Sequence, residues 1–290
     1  MHPEWWAERI KLDTPGRPRP WMVRALLRFA RPLVRLCHRP VLEGIENLPA
    51  SGPFLLVANH SGGLAIAEIF SFAVSYLEQA GPERPLAGFA HPVSFHLWPA
   101  SVVLPAMGAI PSSKSAGEAV LKAGVPILVF PGGDHEALRP IWQANRVDFG
   151  GRMGFLRLAR KAQVPIVPMG IRGSHYTMPI LWRAGGLVPK LLILPALSGV
   201  KRWPITVLGV AGALLILGWL PLDWPWRIAA VWAWLGSPFV AIPWIPWKIR
   251  MRIGAPISVA ELFGEGATDE AALALVQGKV QALVDRQAAT

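Results

Sequence analysis

A chain of 290 residues with 52% hydrophobic and only 16% charged residues carries too little charge to cover an ordinary soluble surface, so part of it faces something other than water. The net charge of +11 calls for an anionic partner, and fourteen Trp against two Tyr favour a lipid interface over nucleic acid. A single cysteine, Cys37, excludes a disulfide framework and a thiolate metal site.

Met1 to Gly16 mixes both charge signs around no apolar core, so no signal peptide is read and the body of the protein is expected on the cytoplasmic face of the cell membrane. From Trp21 to Leu36, Arg24, Arg28, Arg31 and Arg35 recur at helical spacing among apolar residues. This pattern predicts a basic amphipathic helix lying in the plane of an anionic bilayer, bent at Pro32. Residues 1–40 are thus expected to form a membrane-surface segment of a peripheral or monotopic protein.

Residues 41–203 alternate apolar runs with helical patterns, as an α/β core does. Strands are expected at Phe54–Ala58, Leu86–Phe89, Ala109–Pro111, Ile127–Phe130 and Ile166–Ile171, and helices at Ala65–Glu78, Ser115–Ala123 and Arg152–Ala162. Val164-Pro165-Ile166-Val167-Pro168 holds two prolines, which predicts an edge or irregular strand.

Residues 204–247 read as a membrane-embedded helical hairpin. Ile205–Leu220 and Ile228–Trp247 are uncharged, Asp223 and Arg227 lie between them, and eight Trp fall between Trp203 and Trp247. Lys201 and Arg202 precede the pair, while Lys248, Arg250 and Arg252 follow it, so both ends carry the charge of the cytoplasmic side. The first arm is short for a span and the second is broken by Pro238, Pro243 and Pro246, which leaves open whether the pair crosses or dips. Residues 248–290 complete the core with a period-two strand over Trp247–Gly254 and a helix over Thr268–Ala288, with Thr268 and Asp269 as N-cap candidates. The fold expected is α/β: a central mixed, largely parallel sheet flanked by helices, with the amphipathic helix and the Trp-rich hairpin attached.

Two strand–loop units carry chemistry. The apolar run Phe54–Ala58 delivers Asn59-His60-Ser61-Gly62-Gly63, and Ile127–Phe130 delivers Pro131-Gly132-Gly133-Asp134-His135-Glu136. Loops at the ends of neighbouring parallel strands share one ligand crevice. His60 is a base candidate, Asn59 can hold the loop or the imidazole, and Gly62 and Gly63 let backbone approach a ligand. A helix opening near Ala65 offers free N–H groups to a developing oxyanion. Glu68 in its first turns is the acid that would orient and stabilise the imidazolium. Ser61 follows His60 directly and has no Gly-x-Ser-x-Gly elbow, so it is a poor nucleophile and direct transfer from a bound hydroxyl is expected. His135 between Asp134 and Glu136 is an incomplete ligand set, so no metal is expected. His38, His91, His96 and His175 have no motif around them and read as structural.

These residues resemble the membrane-associated glycerolipid acyltransferases, whose first motif is Asn-His-x4-Asp. The resemblance runs from about Val41 to Ile257 and rests on four blocks. Gly44-Ile45-Glu46-Asn47-Leu48-Pro49 leads into Asn59-His60. Met107-Gly108-Ala109-Ile110-Pro111 is similar to the second motif, with Lys114 as its basic residue. Phe130-Pro131-Gly132-Gly133 is similar to the third, and Val164-Pro165-Ile166-Val167-Pro168 to the fourth. The sequence departs from the pattern where Ala65 stands in place of the Asp and Gly132 in place of a Glu, with Glu68 and Glu136 as the acids offered instead.

The resemblance implies transfer of a fatty acyl chain from acyl-CoA or acyl carrier protein, with no cofactor, to a glycerolipid hydroxyl of the lysophosphatidate, lysophospholipid or diacylglycerol class. His60 and Glu68 would be catalytic. Asn59, Ser61, Gly62, Gly63, Gly132, Gly133 and Glu136 would shape the substrate site, and Lys114, Arg139 and Arg152 would contact anionic groups. The implied partners are membrane lipids and an anionic bilayer surface, without nucleic acid. The rival reading is an inactive lipid-binding or membrane-scaffolding relative, suggested by Ala65 and Gly132.

Overall fold

The computed structural model describes residues 16–63, 67–96, 98–197 and 200–288. The expectations for residues 1–15 and for the helix start at Ala65 lie outside the described residues.

The described residues open with α1 (Pro20–Ala25), a π-turn over Leu26–Ala30 and α2 (Arg31–His38). Pro32 lies in the first turn of α2, and the wider turn before it accommodates a residue that has no N–H to give. The arginines of the basic stripe are exposed, and two of them are paired within the protein. Arg31 Nε and Arg35 Nη2 each lie 2.6 Å from the Glu78 carboxylate, and Leu26 and Val34 pack on Val74. Among its apolar residues, Phe29, Leu33 and Leu36 are more than half exposed.

Nine strands follow among the described residues: β1 (Val41–Glu43), β2 (Leu55–Ala58), β3 (Ala87–Ala90), β4 (Ala109–Pro111), β5 (Ile127–Val129), β6 (Ile166–Arg172), β7 (Ile180–Ala184), β8 (Trp203–Thr206) and β9 (Arg250–Ile253). The helices after α2 are α3 (Ala67–Ala80), α4 (Ala100–Ala106), α5 (Lys114–Lys122), α6 (Gly133–Ala137) and α7 (Gly154–Ala162). Then come α8 (Val188–Leu191), α9 (Ile193–Leu197), α10 (Val207–Trp219), α11 (Trp224–Leu235), α12 (Val259–Phe263) and α13 (Asp269–Arg286). Thr268 caps α13 by accepting the Ala271 N–H at 3.1 Å, as its sequence position predicts.

The main sheet has seven strands in the order β1-β9-β6-β2-β5-β3-β4, and β7 and β8 form a separate antiparallel pair. β2, β3, β4, β5 and β6 run parallel, whereas β9 pairs antiparallel with β6 and parallel with β1. The sheet is therefore mixed and largely parallel. Alternation along β2 divides the core: Leu55 and Val57 join Ile127, Leu156 and Val280 on one face, while Leu56 and Ala58 join Phe72, Met169 and Ile253 on the other.

Two expectations are corrected. The second hairpin arm, expected over Ile228–Trp247, is α11 over Trp224–Leu235 with a 3-10 turn at Pro238–Ala241 after it. β6, expected as an edge or irregular strand, is an interior strand between β2 and β9. Pro168 fits because its polar side faces β9 where that ladder ends: its carbonyl accepts the Gly254 N–H at 2.8 Å, one residue past the last residue of β9.

Candidate active site

β2 and β5 lie side by side and parallel, so the loops after Ala58 and Phe130 emerge together at one edge of the sheet. Asn59 continues β2 by side chain instead of backbone. Its Nδ2 donates to the Ile171 carbonyl at 2.8 Å and its Oδ1 accepts the Ile171 N–H at 2.7 Å. The side chain is thus held against β6, and Asn59 fixes where the loop begins. Gly62 and Gly63 then turn the chain with φ of 85° and 82°, a region an L side chain rarely adopts. A Cβ on Gly62 would meet the Ser174 carbonyl at 2.9 Å. Gly63 N–H donates to the Ala137 carbonyl at 2.9 Å, which joins this loop to the second one.

Within that frame His60 Nδ1 contacts the Glu68 carboxylate. A carboxylate only accepts, so Nδ1 carries a proton, and in the neutral ring Nε2 keeps the lone pair. The ring stacks on Phe130 at 4.6 Å between centroids and keeps 18% of its side chain exposed. Glu68 is fully buried and has further donors: Ser61 N–H at 3.0 Å, Ser61 Oγ at 2.9 Å and Ser174 Oγ at 2.8 Å. Burial opposes a charged imidazole at His60, but the Glu68 carboxylate, and after it Glu136 and Asp134, outweigh that and hold the His60 pKa above its ordinary value.

Glu136 is the second buried carboxyl. Its Oε2 accepts the His60 backbone N–H at 2.9 Å, and its Oε1 accepts the Asp148 N–H at 3.0 Å and Arg139 Nη2 at 3.3 Å. Burial pushes its pKa up to about 7, against the pull of Arg139 and the two backbone donors. Glu136 thereby ties the His60 loop to the third-motif loop through main chain, while Glu68 holds the imidazole. Arg139 is buried beside it. His175 is buried too, and burial followed by the charges of Arg139 and His60 brings its pKa down to about 3, so this histidine is neutral.

The remaining expected residues divide by partner. Arg152 Nη1 donates to the Gly132 carbonyl at 2.9 Å and its Nη2 to Asp134 at 2.7 Å, so the guanidinium shapes the Gly132–Gly133 loop. Lys114 is exposed at the start of α5, two strands beyond β5 in the sheet. A Cβ on Gly132 would overlap the Glu136 side chain, and one on Gly133 would come within 2.7 Å of Arg152 Nη1.

Three residues were not anticipated. Ser174, on the turn after β6, is a direct partner of Glu68. Arg202 reaches Asp134 at 2.7 Å, and Arg183 contacts the His135 carbonyl. Both arginines belong to the β7–β8 segment that leads into α10. The Gly173-Ser174 pair at the end of an apolar run, echoing the run into Ser61, was the one signal available for Ser174.

Residues 39–172 match the family model described as Acyltransferase, a segment holding His60, Glu68 and Glu136. An uncharacterized protein of Mycobacterium tuberculosis (strain H37Rv) is 30% identical over 209 residues, covering 72% of this chain and 54% of that protein. The chain thus spans about half the length of the curated relatives it matches most fully. Phytyl ester synthase 2 of Arabidopsis thaliana is 29% identical over 141 residues, 46% of this chain and 20% of that protein. The Bos taurus protein named DGAT1/2-independent enzyme synthesizing storage lipids is 31% identical over 132 residues, 46% of this chain and 38% of its own length. Among solved structures, that of the 1-acyl-sn-glycerophosphate (LPA) acyltransferase PlsC from Thermotoga maritima superimposes with a TM-score of 0.50 and 18% identity, over 90% of this chain and 79% of that one. At that identity the likeness concerns the fold.

Proposed function

We propose, from the match of residues 39–172 to the acyltransferase family model, that the protein transfers a fatty acyl chain from a thioester donor to a lipid hydroxyl at a membrane surface. The observation that carries this reading is the His60 Nδ1 contact with buried Glu68, which leaves Nε2 free to take a proton. In this reaction Nε2 removes the acceptor's hydroxyl proton as the oxygen attacks the thioester carbonyl. The tetrahedral adduct collapses, the C–S bond breaks, and the leaving thiolate receives the proton from the imidazolium. Glu68 faces Nδ1 throughout and stabilises the cationic ring. No covalent acyl-enzyme is required, and Ser61, whose hydroxyl donates to Glu68, is a poor nucleophile.

The donor is acyl-CoA or acyl carrier protein, and the acceptor is a glycerolipid with a free hydroxyl. The relatives named for phytyl esters and storage lipids support including uncharged acceptors beside phosphate-bearing ones. Membrane association is part of the same proposal. Its support is the exposed apolar surface of α10, α11 and the segment 26–38, together with the net charge of +11.

The test is acyl transfer from labelled acyl-CoA and acyl carrier protein to a panel of lysophosphatidate, lysophospholipid and diacylglycerol, with purified protein in mixed micelles. His60→Ala is expected to lower transfer by about 10²-fold or more with the circular dichroism spectrum unchanged. Equal rates in the two proteins would overturn the mechanism. Free fatty acid without any lipid product would mark a thioesterase instead, and no turnover in either protein with lipid binding retained would favour a non-catalytic relative.

A further inference from the structure

We infer that the α10–α11 hairpin lies within one leaflet of a phospholipid bilayer, with its middle among the acyl chains and its tip at headgroup level on the side it entered from. The inference rests on the membrane association proposed above and specifies how the hairpin meets the lipid.

No helix among the described residues is long and apolar enough to cross a membrane. α10 has 13 residues. At 1.5 Å per residue it reaches about 20 Å, well short of the ~30 Å hydrocarbon core. Yet the hairpin is apolar on every side. Leu214 and Leu215 on α10 and Ile228 on α11 are all more than half exposed, a surface suited to hydrocarbon and not to water.

Three of its backbone carbonyls, two of them near the tip, are closed from within by side chains. Arg227 Nε donates to the Leu222 carbonyl and Nη1 to the Leu217 carbonyl, both at 2.7 Å, and Trp234 Nε1 donates to the Gly209 carbonyl at 2.9 Å. Water would satisfy the carbonyls at the end of a helix unaided, whereas lipid cannot.

The two ends of the hairpin ask for headgroup level. The tip places Trp219, Trp224 and Trp226, exposed by 85%, 73% and 66%, around Asp223. Indoles prefer the membrane–water boundary, and a carboxylate is costly any deeper. At the base, Lys190 and Lys201 line a cleft of about 410 Å³, where ammonium groups can meet lipid phosphates. A hairpin with both ends at the boundary, and too short to reach the far boundary, lies along the near leaflet.

Single-cysteine proteins in a Cys37→Ala background test this, with Leu214→Cys in the middle of α10 and Leu222→Cys at the tip. Both side chains are exposed, so neither change removes a packed contact. The proteins are added to sealed phosphatidylcholine–phosphatidylglycerol vesicles and treated with a membrane-impermeant maleimide, present outside or trapped inside. Labelling from outside is expected to be at least tenfold slower for Leu214→Cys than for Leu222→Cys, with neither labelled from inside. Labelling of Leu222→Cys from inside would show a crossing hairpin. Protection of both positions would place the tip deep, and equal fast labelling of both would place the hairpin outside the lipid; each result overturns the inference. Co-sedimentation with the vesicles tests membrane association separately, and the readout needs no turnover, so failure of the acyl-transfer reading is distinguishable from either.

Discussion

Glu68 gathers Ser61 N–H, Ser61 Oγ, Ser174 Oγ and the His60 ring around one fully buried carboxylate. A hydrogen bond to a charged group contributes about 1.5–3 kcal/mol. Ser174→Ala should therefore lower the rate of acyl transfer by about 10- to 100-fold while leaving acceptor KM unchanged, because Ser174 acts through Glu68; a rate like that of the wild type would assign Ser174 to packing alone. Glu136→Gln puts an amide NH₂ against backbone N–H groups of His60 or Asp148 and leaves the buried Arg139 without its carboxylate. An uncompensated buried charge costs about 3–5 kcal/mol. The variant is expected to unfold at markedly lower denaturant, and an unchanged midpoint would show that Glu136 is not what joins the two loops. His60 was legible in the sequence because it sits on a glycine turn at the end of an apolar strand, and Glu68 because it falls in the first turn of the helix that follows. Ser174 was not, since its partner lies 106 residues away. Arg139 and Arg152 were legible as charges, but the Glu136, Asp134 and Gly132 groups that engage them are set by tertiary structure.

At the scale of elements, the base of the hairpin depends on one buried hydroxyl. Thr206 Oγ1 accepts the Gly209 N–H at 2.9 Å, capping α10, and donates to the Val240 carbonyl at 2.7 Å, tying in the turn after α11. Thr206→Ala removes a helix cap and strands a buried carbonyl, for a combined loss of about 2–3 kcal/mol. Thermal unfolding in mild detergent should move to lower temperature, with faster proteolysis between residues 207 and 235; an unmoved transition would deny the cap its role. The strands of the parallel core and α10 followed from apolar runs and Pro/Gly punctuation, whereas α11 begins inside the expected connection and ends at Leu235, well before Trp247. The interior place of β6 did not, because two prolines usually mark an edge and the place where the β9 ladder stops is invisible without the partner strand. β7 and β8 also escaped, since Trp182, Arg183 and Pro204 interrupt the apolar pattern of these short strands.

At the scale of the whole molecule, a charge of +11 joins a site at the open end of a parallel sheet to apolar helices that leave that body. Attraction to an anionic surface is screened by salt, with a Debye length of about 3 Å at 1 M against about 10 Å at 0.1 M. Binding to phosphatidylglycerol-containing vesicles should weaken with added salt until it matches binding to neutral vesicles; salt-independent binding would assign all of it to apolar insertion. Within this arrangement the enzymatic account turns on one pair of residues. The raised His60 pKa means the neutral base forms only as pH climbs above the ordinary histidine value of 6.5. The same contact stabilises the fold fully below pH 6.5 and loses that contribution as pH rises through the raised value. The most direct test is the pH dependence of kcat for acyl transfer in wild type and Glu68→Gln. The account predicts a wild-type rate that rises through a midpoint above 6.5, and a variant slower by about 10³-fold with its midpoint shifted down. Equal rates with the same midpoint in both proteins would contradict it.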